Sequence, residues 1–270
     1  MKLKLILLNV LMIVTVLSCN TESVDLPEQK ETADNTLVKR IVYNIGTDDE
    51  YTETFNYDGN KLTSVHYSYG AKNVYTYDDN DNLVKDEYFE GDGLVASVSL
   101  EYNLDNKIAS YIETFFEFPG FSLGGRRYKH IFTYNNDGTI ADTLYVSDHN
   151  AEYELSGIKT FTLNGSSITE ILYDWGYNIS YRYDNKNGAF KNIHAIEALH
   201  ILSQNEFGAA IYGNTNNIVS HREKYTNSVG DNYNDSYEYT YNEKNYPKTC
   251  VYNSKEEGIE DTETIEYFYQ

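Results

Sequence analysis

The chain has 270 residues, of which 40% are hydrophobic and 15% aromatic, and its formal net charge at pH 7 is −21. That much negative charge argues against binding to nucleic acids or to anionic headgroups, which requires clustered Lys and Arg. The apolar content is enough for one sizeable core, and all-β domains of this length are often single.

The first residues have the form of a secretory signal. A basic start, Met1–Lys4, is followed by an apolar run, Leu5–Leu17, that is broken only by Asn9 and Thr15. A run this short, with a basic start and a small-residue exit, indicates a secretory signal and not a spanning helix. The run ends in VLSC, which resembles the lipobox of bacterial lipoproteins. This resemblance implies that residues 1–18 are a signal peptide and that the thiol of Cys19 is the lipid attachment site. The alternative is an ordinary signal peptide with an incidental cysteine.

A polar segment follows the lipobox. Residues 20–36, NTESVDLPEQKETADNT, are acidic and free of aromatic side chains, so residues 19–36 are predicted to be a lipidated N-terminus and flexible tether. Residues 37–270 are predicted to form a single β-repeat domain that stands off from the membrane. We expect an outer-membrane lipoprotein, and its exposure to the periplasm or to the cell surface stays open. With Cys19 lipidated, Cys250 has no partner for a disulfide and is expected to be a half-buried strand residue.

A short pattern recurs through the predicted domain. An aromatic or apolar residue, one spacer and a tyrosine precede two to five turn-forming residues, and an aliphatic residue usually follows. The units are FNYDGNKL, YTYDDNDNL, LEYNLDNKI, FTYNNDGTI, FTLNGSSI, YRYDNKNGAF, IYGNTNNI and YTYNEKNYP. Their anchor positions are Tyr57, Tyr77, Tyr102, Tyr134, Leu163, Tyr183, Tyr212 and Tyr241. The spacing of the anchors varies from 20 to 32 residues, which counts against a rigid solenoid or a propeller.

Each unit is predicted to be a β-hairpin. Tyrosines alternate with polar residues before the turns, as expected for strands with one covered and one solvated face. The Asp, Asn and Gly residues after each anchor tolerate the left-handed dihedrals of hairpin turns. Eight hairpins imply roughly 14–18 strands, and an open sheet that large must curl, close or split. The predicted fold is all-β, a large antiparallel β-meander with a curled or barrel-like sheet.

One segment lacks turn signals. In AFKNIHAIEALHILSQ, residues 189–204, the apolar residues Ile193, Ile196, Leu199 and Leu202 recur at helical spacing. This spacing predicts one short amphipathic helix near residues 190–204 that caps the sheet.

The repeated Tyr-Asp/Asn-x-Asn/Gly-x-Leu units resemble the YD (RHS-type) repeats of bacterial surface and secreted proteins. Together with the lipobox and the phrase DNKNGAFKNI (Asp184–Ile193), they make residues 37–270 similar to a large group of Bacteroidota-type lipoproteins. True YD repeats usually carry more Gly and Arg than the Asn-rich turns of this chain. The resemblance implies a β-meander and no catalytic residues.

Three motifs were considered for chemistry. Residues 120–124, GFSLG, match G-x-S-x-G but precede a strand-like segment, whereas a nucleophile elbow requires a turn into a helix. His194, Glu197 and His200 share one side of the predicted helix, but helical zinc sites prefer histidines at i and i+4. Asp78-x-Asn80-x-Asn82 begins like an EF-hand loop and then lacks its glycine and its last ligand. We therefore expect no catalytic residues, no metal site and no cofactor.

The tyrosine stripes are the remaining candidate for binding, because an aromatic ring stacks on a ligand while nearby hydroxyls and amides form hydrogen bonds. The alternative is that the tyrosines are the core of the sheet. The candidate ligand-binding residues are Tyr75, Tyr77, Tyr181, Tyr183, Tyr237, Tyr239 and Tyr241. The expected function is non-enzymatic binding of a glycan or an envelope protein by a lipid-anchored protein. A structural component of an envelope assembly, or a hydrolase, is the alternative.

Overall fold

Consecutive strands pair antiparallel along the whole chain, and the last strand pairs with the first. In the computed structural model, which describes residues 34–117, 124–149, 151–203, 215–226, 233–256 and 259–270, sixteen strands close into one barrel. These residues belong to one unit, Asp34–Gln270. The closing pair is β1 with β16, in which Ile41 lies opposite Tyr267. The predicted all-β meander is thereby confirmed, and the curled sheet is a closed barrel.

The first eight strands are β1 (Val38–Tyr43), β2 (Tyr51–Asp58), β3 (Lys61–Tyr67), β4 (Ala71–Tyr77), β5 (Leu83–Glu90), β6 (Gly93–Tyr102), β7 (Ile108–Phe115) and β8 (Arg126–Tyr134). The remaining strands are β9 (Ile140–Asp148), β10 (Glu154–Asn164), β11 (Ser167–Tyr173), β12 (Tyr177–Tyr183), β13 (Ile218–Tyr225), β14 (Tyr233–Tyr241), β15 (Pro247–Glu256) and β16 (Ile259–Tyr269). The helix, α1 (Ile196–Leu202), lies between β12 and β13.

The repeated Asp and Asn residues build the turns that follow the even-numbered strands. In the turn after β4, the backbone N–H of Asp78 donates to the carbonyl of Asn82 at 2.9 Å. The carboxylate of Asp78 accepts hydrogen bonds from the backbone N–H groups of Asn80 and Asn82, at 2.9 and 2.8 Å. Asp81 has a φ of 67°, a left-handed value that Asp and Asn tolerate. The acidic residues of YTYDDNDNL therefore organise a turn.

The anchor tyrosines tie neighbouring strands together at this end of the barrel. The hydroxyl of Tyr102, at the end of β6, donates to the carbonyl of Leu83, at the start of β5, at 2.8 Å. The same kind of bond joins Tyr57 to Val38, Tyr134 to Ile108, Tyr183 to Ile168 and Tyr269 to Pro247. These bonds give the repeat a physical basis, because each one satisfies a backbone carbonyl that lies within a partly buried part of the barrel.

The inner face of the barrel is packed in two layers. Near the turns that follow the even-numbered strands, the core consists of large apolar side chains, including Leu62, Leu83, Ile108, Phe132, Phe161 and Ile168. Further along the strands the inner face carries buried polar groups, including Glu53, Asn73, Asp86, His130, Asp142 and Asp235. These groups have internal partners, as buried polar groups require.

The outer face is hydrophilic. Neighbouring positions across the strands include the rows Thr52, Val42, Glu266, Thr249 and Thr240; Val74, Glu87, Ser97 and Thr114; and Leu172, Asn178 and Lys224. Barrels that face lipid need an outward apolar band about 25 Å tall. In the rows above, charged and hydroxyl side chains interrupt any such band.

Cys250 and Thr36, which lies shortly before β1, are both more buried than the sequence predicts. Cys250 is buried, with 1% of its surface exposed, so it lies deeper than the half-buried position expected from the sequence. Near the predicted tether, the carboxylate of Asp34 accepts a hydrogen bond from the hydroxyl of Tyr246 at 2.6 Å, and Thr36 is buried. Residues 1–33, which include the predicted signal peptide and Cys19, lie outside the described residues.

Candidate functional site

The segment between β12 and β13 is an insertion into one hairpin turn. The backbone N–H of Asp184 donates to the carbonyl of Asn217 at 3.0 Å, the same bond that joins Asp78 to Asn82 in an uninterrupted turn. The carboxylate of Asp184 also accepts hydrogen bonds from the backbone and side chain of Asn217. The units YRYDNKNGAF and IYGNTNNI, predicted as two hairpins, are thus the two ends of one connection. The anchor Tyr212 lies outside the described residues.

This insertion folds over the end of the barrel that we call the helix end, formed by α1 and the turns after the even-numbered strands. Phe190 is buried and its ring lies 5.5 Å from that of Phe55. The backbone N–H of His194 donates to the carbonyl of Asn60 at 2.9 Å, and its ring nitrogen Nε2 lies 2.7 Å from the carbonyl oxygen of Asp81. These contacts fix the insertion to the turns on either side of β3 and β4.

The helix is shorter than the sequence predicts. Ala195 has a left-handed φ of 58° and ends the irregular approach, so α1 begins only at Ile196. Residues before it form turns, because Phe190 and Ile193 must enter the core. Of the periodic apolar residues, Leu199 and Leu202 are buried on the helix and Ile196 is half-buried. The predicted short helix near residues 190–204 is thus confirmed.

A cleft of about 660 Å³, which we call the helix-end cleft, lies between α1 and the turns after β4, β6, β8 and β10. Small-molecule sites usually occupy about 300–1,000 Å³. The apolar part of its wall consists of Ile108, Ile140, Phe161, Leu163, Ile168, Ile196 and Ile201. A concave, largely apolar surface of this size is suited to a small ligand.

The rim of the helix-end cleft is rich in amides. Asparagine side chains from three turns line it, namely Asn80, Asn82, Asn106 and Asn135. Tyr102 and Tyr134 present their rings, since their hydroxyls are bound to backbone carbonyls. The rim thus offers hydrogen-bond donors and acceptors beside aromatic faces.

The charges of the rim nearly balance. Lys107 lies with its amine 4.8 Å from the centroid of the Tyr134 ring. Asp81 forms an ion pair with Lys61, and Glu197 is exposed on the first turn of α1. The described lining therefore has no cluster of cations that would hold a phosphate or a carboxylate.

His200 lies in the lining of the helix-end cleft and is 3% exposed. Neither of its ring nitrogens has a hydrogen-bond partner. Burial alone lowers the pKa of the His200 imidazole to about 4, so the ring is neutral at physiological pH. In the sequence His200 belongs to the motif His194-x-x-Glu197-x-x-His200, and no sequence pattern indicates that it lines a cleft.

The predicted ligand-binding tyrosines all lie on the inner face of the barrel. Tyr75 is buried, and Tyr77 packs near the ring of His194, with centroids 6.0 Å apart. Tyr181 stacks on His221 at 5.2 Å. Tyr75 belongs to the core, and Tyr77, Tyr181, Tyr237 and Tyr239 pack against it. Tyr183 and Tyr241 are half-buried, and their hydroxyls donate to the carbonyl of Ile168 and the carboxylate of Asp184, respectively. A role for these tyrosines in ligand binding stays a prediction.

Two of these tyrosines meet at a second, smaller cavity. Tyr237 and Tyr239 line a space of about 200 Å³ together with Tyr43, Tyr51 and Glu263. The rings of Tyr43 and Tyr51 stack within this wall, with centroids 4.1 Å apart. This cavity lies against the inner face of the barrel, away from the helix-end cleft.

The buried polar layer holds its charges in networks. Asp142 accepts a hydrogen bond from His130 at 2.8 Å and lies 3.4 Å from the amine of Lys159. His221 lies between Asp235 at 2.8 Å and Glu223 at 2.9 Å. Burial opposes a charge on His221, but its hydrogen bonds to these two carboxylates raise its pKa to about 9.

Two carboxyl groups of this layer lack a cationic partner. Burial raises the pKa of both Glu53 and Asp86 to about 7, against the lowering effect of hydrogen bonds from Tyr43 and Asn73, respectively. The side chain of Asn73 donates to Asp86 at 2.9 Å. Both carboxyl groups therefore retain a proton at a higher pH than they would in water.

An exposed group of rings, which the sequence did not single out, lies at the end of the barrel opposite α1. This aromatic rim cluster consists of Tyr173, Trp175, Tyr177 and Tyr225. Trp175 is 58% exposed and stacks on Tyr177 with centroids 5.1 Å apart. The cluster forms where β13 ends beside the turn between β11 and β12, and residues distant in sequence supply its rings.

The two metal-like motifs of the sequence lie within the described residues. Among the described residues, no group of three or more His, Cys, Asp or Glu side chains could hold a metal ion. His194 binds a backbone carbonyl at the surface, while His200 is buried. The serine of GFSLG lies among residues 118–123, outside the described residues.

Comparisons with known proteins identify the fold. No protein-family model and no curated protein matches the chain. A porin-like protein from Bacteroides uniformis ATCC 8492 is similar in structure, with a TM-score of 0.52, 14% identity, and coverage of 86% of this chain and 96% of that protein. A porin-like protein from Bacteroides vulgatus ATCC 8482 has a TM-score of 0.54 and 12% identity, and the match covers 87% of this chain and 99% of that protein.

At these identities the likeness establishes a shared barrel fold. The chain is therefore an all-β closed barrel of the architecture found in those porin-like proteins, and the likeness to YD repeats stays a resemblance. Within the described residues, no helix is long and apolar enough to cross a bilayer.

Proposed function

We propose that this protein is a lipid-anchored, non-enzymatic binding protein of the cell envelope that holds a neutral glycan in the helix-end cleft. The observation that carries the proposal is the cleft itself, about 660 Å³ in volume, with an apolar wall and an amide-rich rim. The membrane is a partner through the lipid on Cys19, and the barrel stands in the aqueous phase.

The surface of the barrel supports this placement. Its outer rows are interrupted by charged and hydroxyl side chains, whereas its aromatic and aliphatic side chains point inward. This arrangement is the reverse of a lipid-facing barrel, whose apolar residues point outward. The lipobox-like VLSC supplies a different means of attachment, and two acyl chains are enough for stable anchoring.

The lining of the cleft favours an uncharged, hydroxyl-rich ligand. Asparagine amides both donate and accept hydrogen bonds, which suits hydroxyl groups. The ring of Tyr102 offers a face for stacking beside them. The near balance of Lys107 against Glu197 gives no preference for a charged ligand.

A second candidate function is a structural role in an envelope assembly. The aromatic rim cluster favours it, because Trp175 and Tyr225 are 58% and 46% exposed and exposed aromatic groups are enriched in protein interfaces. In that case the partner binds at the end of the barrel opposite α1, and the helix-end cleft plays no part.

The proposal is tested by blocking the cleft with a bulky side chain. Ser166 lines the cleft after Gly165, whose φ is 63°, in the turn between β10 and β11. Asp92 follows Gly91, whose φ is 57°, in the turn between β5 and β6 at the opposite end of the barrel. Ser166→Trp fills the cleft, and Asp92→Trp is the matched control in a similar turn.

Binding is measured on an array of neutral and acidic oligosaccharides and then by calorimetry on the best ligand. We expect a neutral oligosaccharide to bind the unaltered protein and Asp92→Trp equally, and Ser166→Trp at least tenfold more weakly. Failure of every neutral oligosaccharide to bind contradicts the proposal. Binding that survives Ser166→Trp but is lost in Trp175→Ala assigns recognition to the aromatic rim cluster instead.

A further inference from the structure

His200 is a polar side chain buried among apolar residues of α1. It is 3% exposed, and the neighbouring residues on α1 that share its burial, Ala198, Leu199 and Leu202, are apolar. Buried polar groups normally have hydrogen-bond partners, and one without a partner is a cost to stability. Both ring nitrogens of His200 have none.

The other buried histidine of the barrel shows the contrast. His130 is 5% exposed, and its Nδ1 lies 2.8 Å from the carboxylate of Asp142. His130 thus has a structural partner, whereas a leucine or phenylalanine would serve the packing at position 200 at least as well as an imidazole. The imidazole of His200 therefore gains no side-chain hydrogen bond that would stabilise the fold.

We propose that His200 is a binding residue of the helix-end cleft and that its imidazole exchanges hydrogen bonds with a hydroxyl of an uncharged ligand. This inference rests on the proposed function. His200 belongs to the lining of the cleft, together with Ile196, Glu197 and Ile201 of the same helical segment. Because both nitrogens are shielded from solvent, contact with a ligand requires the ring to rotate toward the cleft.

The protonation state of the ring selects the chemical class of the ligand. A neutral imidazole has one donor and one acceptor nitrogen, and a hydroxyl group can satisfy either of them. Burial, which lowers the pKa of His200 to about 4, keeps the ring in this neutral form. An anionic ligand would require a cation at the same place, and Lys107 is instead held over the ring of Tyr134 at the rim. The hydroxyl-rich face of a neutral sugar meets these conditions.

The test separates a binding role from a structural one through two variants. His200→Phe removes both ring nitrogens and keeps an aromatic ring, and His200→Gln keeps one donor and one acceptor. His130→Phe is the control for a histidine with a partner, since it leaves Asp142 with only Lys159 nearby. The measurements are Tm by circular dichroism and affinity for neutral tetrasaccharides (cellotetraose, maltotetraose and N-acetylchitotetraose) together with the best neutral ligand of the array.

We expect the Tm of His200→Phe to be unchanged or about 2–4 °C higher, while His130→Phe lowers it. We expect His200→Phe to bind the sugar at least tenfold more weakly, and His200→Gln to recover part of the affinity. In ¹⁵N spectra the ring resonances of His200 should shift when the sugar binds.

Two results overturn the inference. One is a lower Tm for His200→Phe, which would make the imidazole a structural group. The other is that Ser166→Trp loses the sugar while His200→Phe binds it with unchanged affinity. The cleft would then be the binding site, but His200 would play no part in it. If no neutral sugar binds at all, the proposed function fails together with the ligand class inferred from His200.

Discussion

Replacement of Asp86 by asparagine tests whether the interior of the barrel is dry. Asp86 is 5% exposed on the inner face of β5, and burial raises its pKa to about 7 against the hydrogen bond from Asn73. An unfolded aspartate has a pKa of about 3.9. Between these two values the unfolded state releases a proton that the folded state retains. The folded state therefore becomes less stable, relative to a neutral side chain, as the pH rises through this window.

The size of the effect follows from the two pKa values. One pKa unit corresponds to about 1.36 kcal/mol, so ionisation of Asp86 costs roughly 1.5 kcal/mol at pH 5 and roughly 4 kcal/mol at pH 8. Asp86→Asn removes this cost and retains an acceptor for the amide of Asn73. We expect the variant to gain about 2.5 kcal/mol of stability relative to the unaltered protein between pH 5 and pH 8.

The assay is urea unfolding at pH 5 and pH 8, followed by circular dichroism. Glu87→Gln is the matched control, because Glu87 lies next in sequence on the outer face and pairs there with Lys85 at 2.6 Å. The difference in unfolding free energy between Glu87→Gln and the unaltered protein should change by less than about 1 kcal/mol between the two pH values, because surface ion pairs contribute little. If Asp86→Asn behaves like Glu87→Gln, then Asp86 is hydrated and the barrel contains water rather than a packed core.

Two further predictions concern the repeat and the buried thiol. Tyr102→Phe removes the hydroxyl that donates to the carbonyl of Leu83. We expect this variant to lower the free energy of unfolding by about 1–2 kcal/mol in urea titrations. The control Tyr145→Phe, on the outer face of β9, should change the free energy of unfolding by less than about 0.5 kcal/mol. Cys250 is 1% exposed and burial raises the pKa of its thiol to about 12, so a thiol reagent should modify it only after urea unfolds the protein. Rapid modification of the native protein, or equal stability of the two tyrosine variants, would contradict these assignments.

The fold was readable from the sequence because its determinants are local. Each unit such as YTYDDNDNL carries its alternating strand, its anchor and its turn within a few residues. Asp78 accepts its hydrogen bonds from residues two and four positions further on. Repetition of one local rule gives a meander, and a sheet of sixteen strands has to curl.

The sequence does not predict that residues between β12 and β13 form one long insertion, because the turn is closed by two residues that are far apart in the chain. Asp184 and Asn217 close one turn, although 32 residues lie between them. Each end alone has the appearance of a complete hairpin unit. The helix within the insertion is predictable from its apolar spacing, but it begins only after Ala195, whose backbone is left-handed.

The helix-end cleft could not be predicted from the sequence for a related reason. The helix-end cleft combines four turns with α1, and only closure of the barrel brings them together. Alternation showed that tyrosines share a face, but the direction of that face is decided by closure. The exposed rings include Tyr69 and, in the aromatic rim cluster, Trp175 and Tyr225. Trp175 lies in a short turn without periodicity.

The central claim is that the barrel stands in water and is held at the membrane by the lipid on Cys19. The most direct test expresses the full chain with residues 1–18 replaced by a cleavable secretory signal and with Cys19→Ala, followed by carbonate extraction of the membranes. We predict that this variant is a folded β-protein in the soluble fraction without detergent, while the unaltered protein stays with the membranes. A variant that remains in the carbonate-washed membranes and needs detergent for release would show that the barrel itself is embedded, and would contradict the claim.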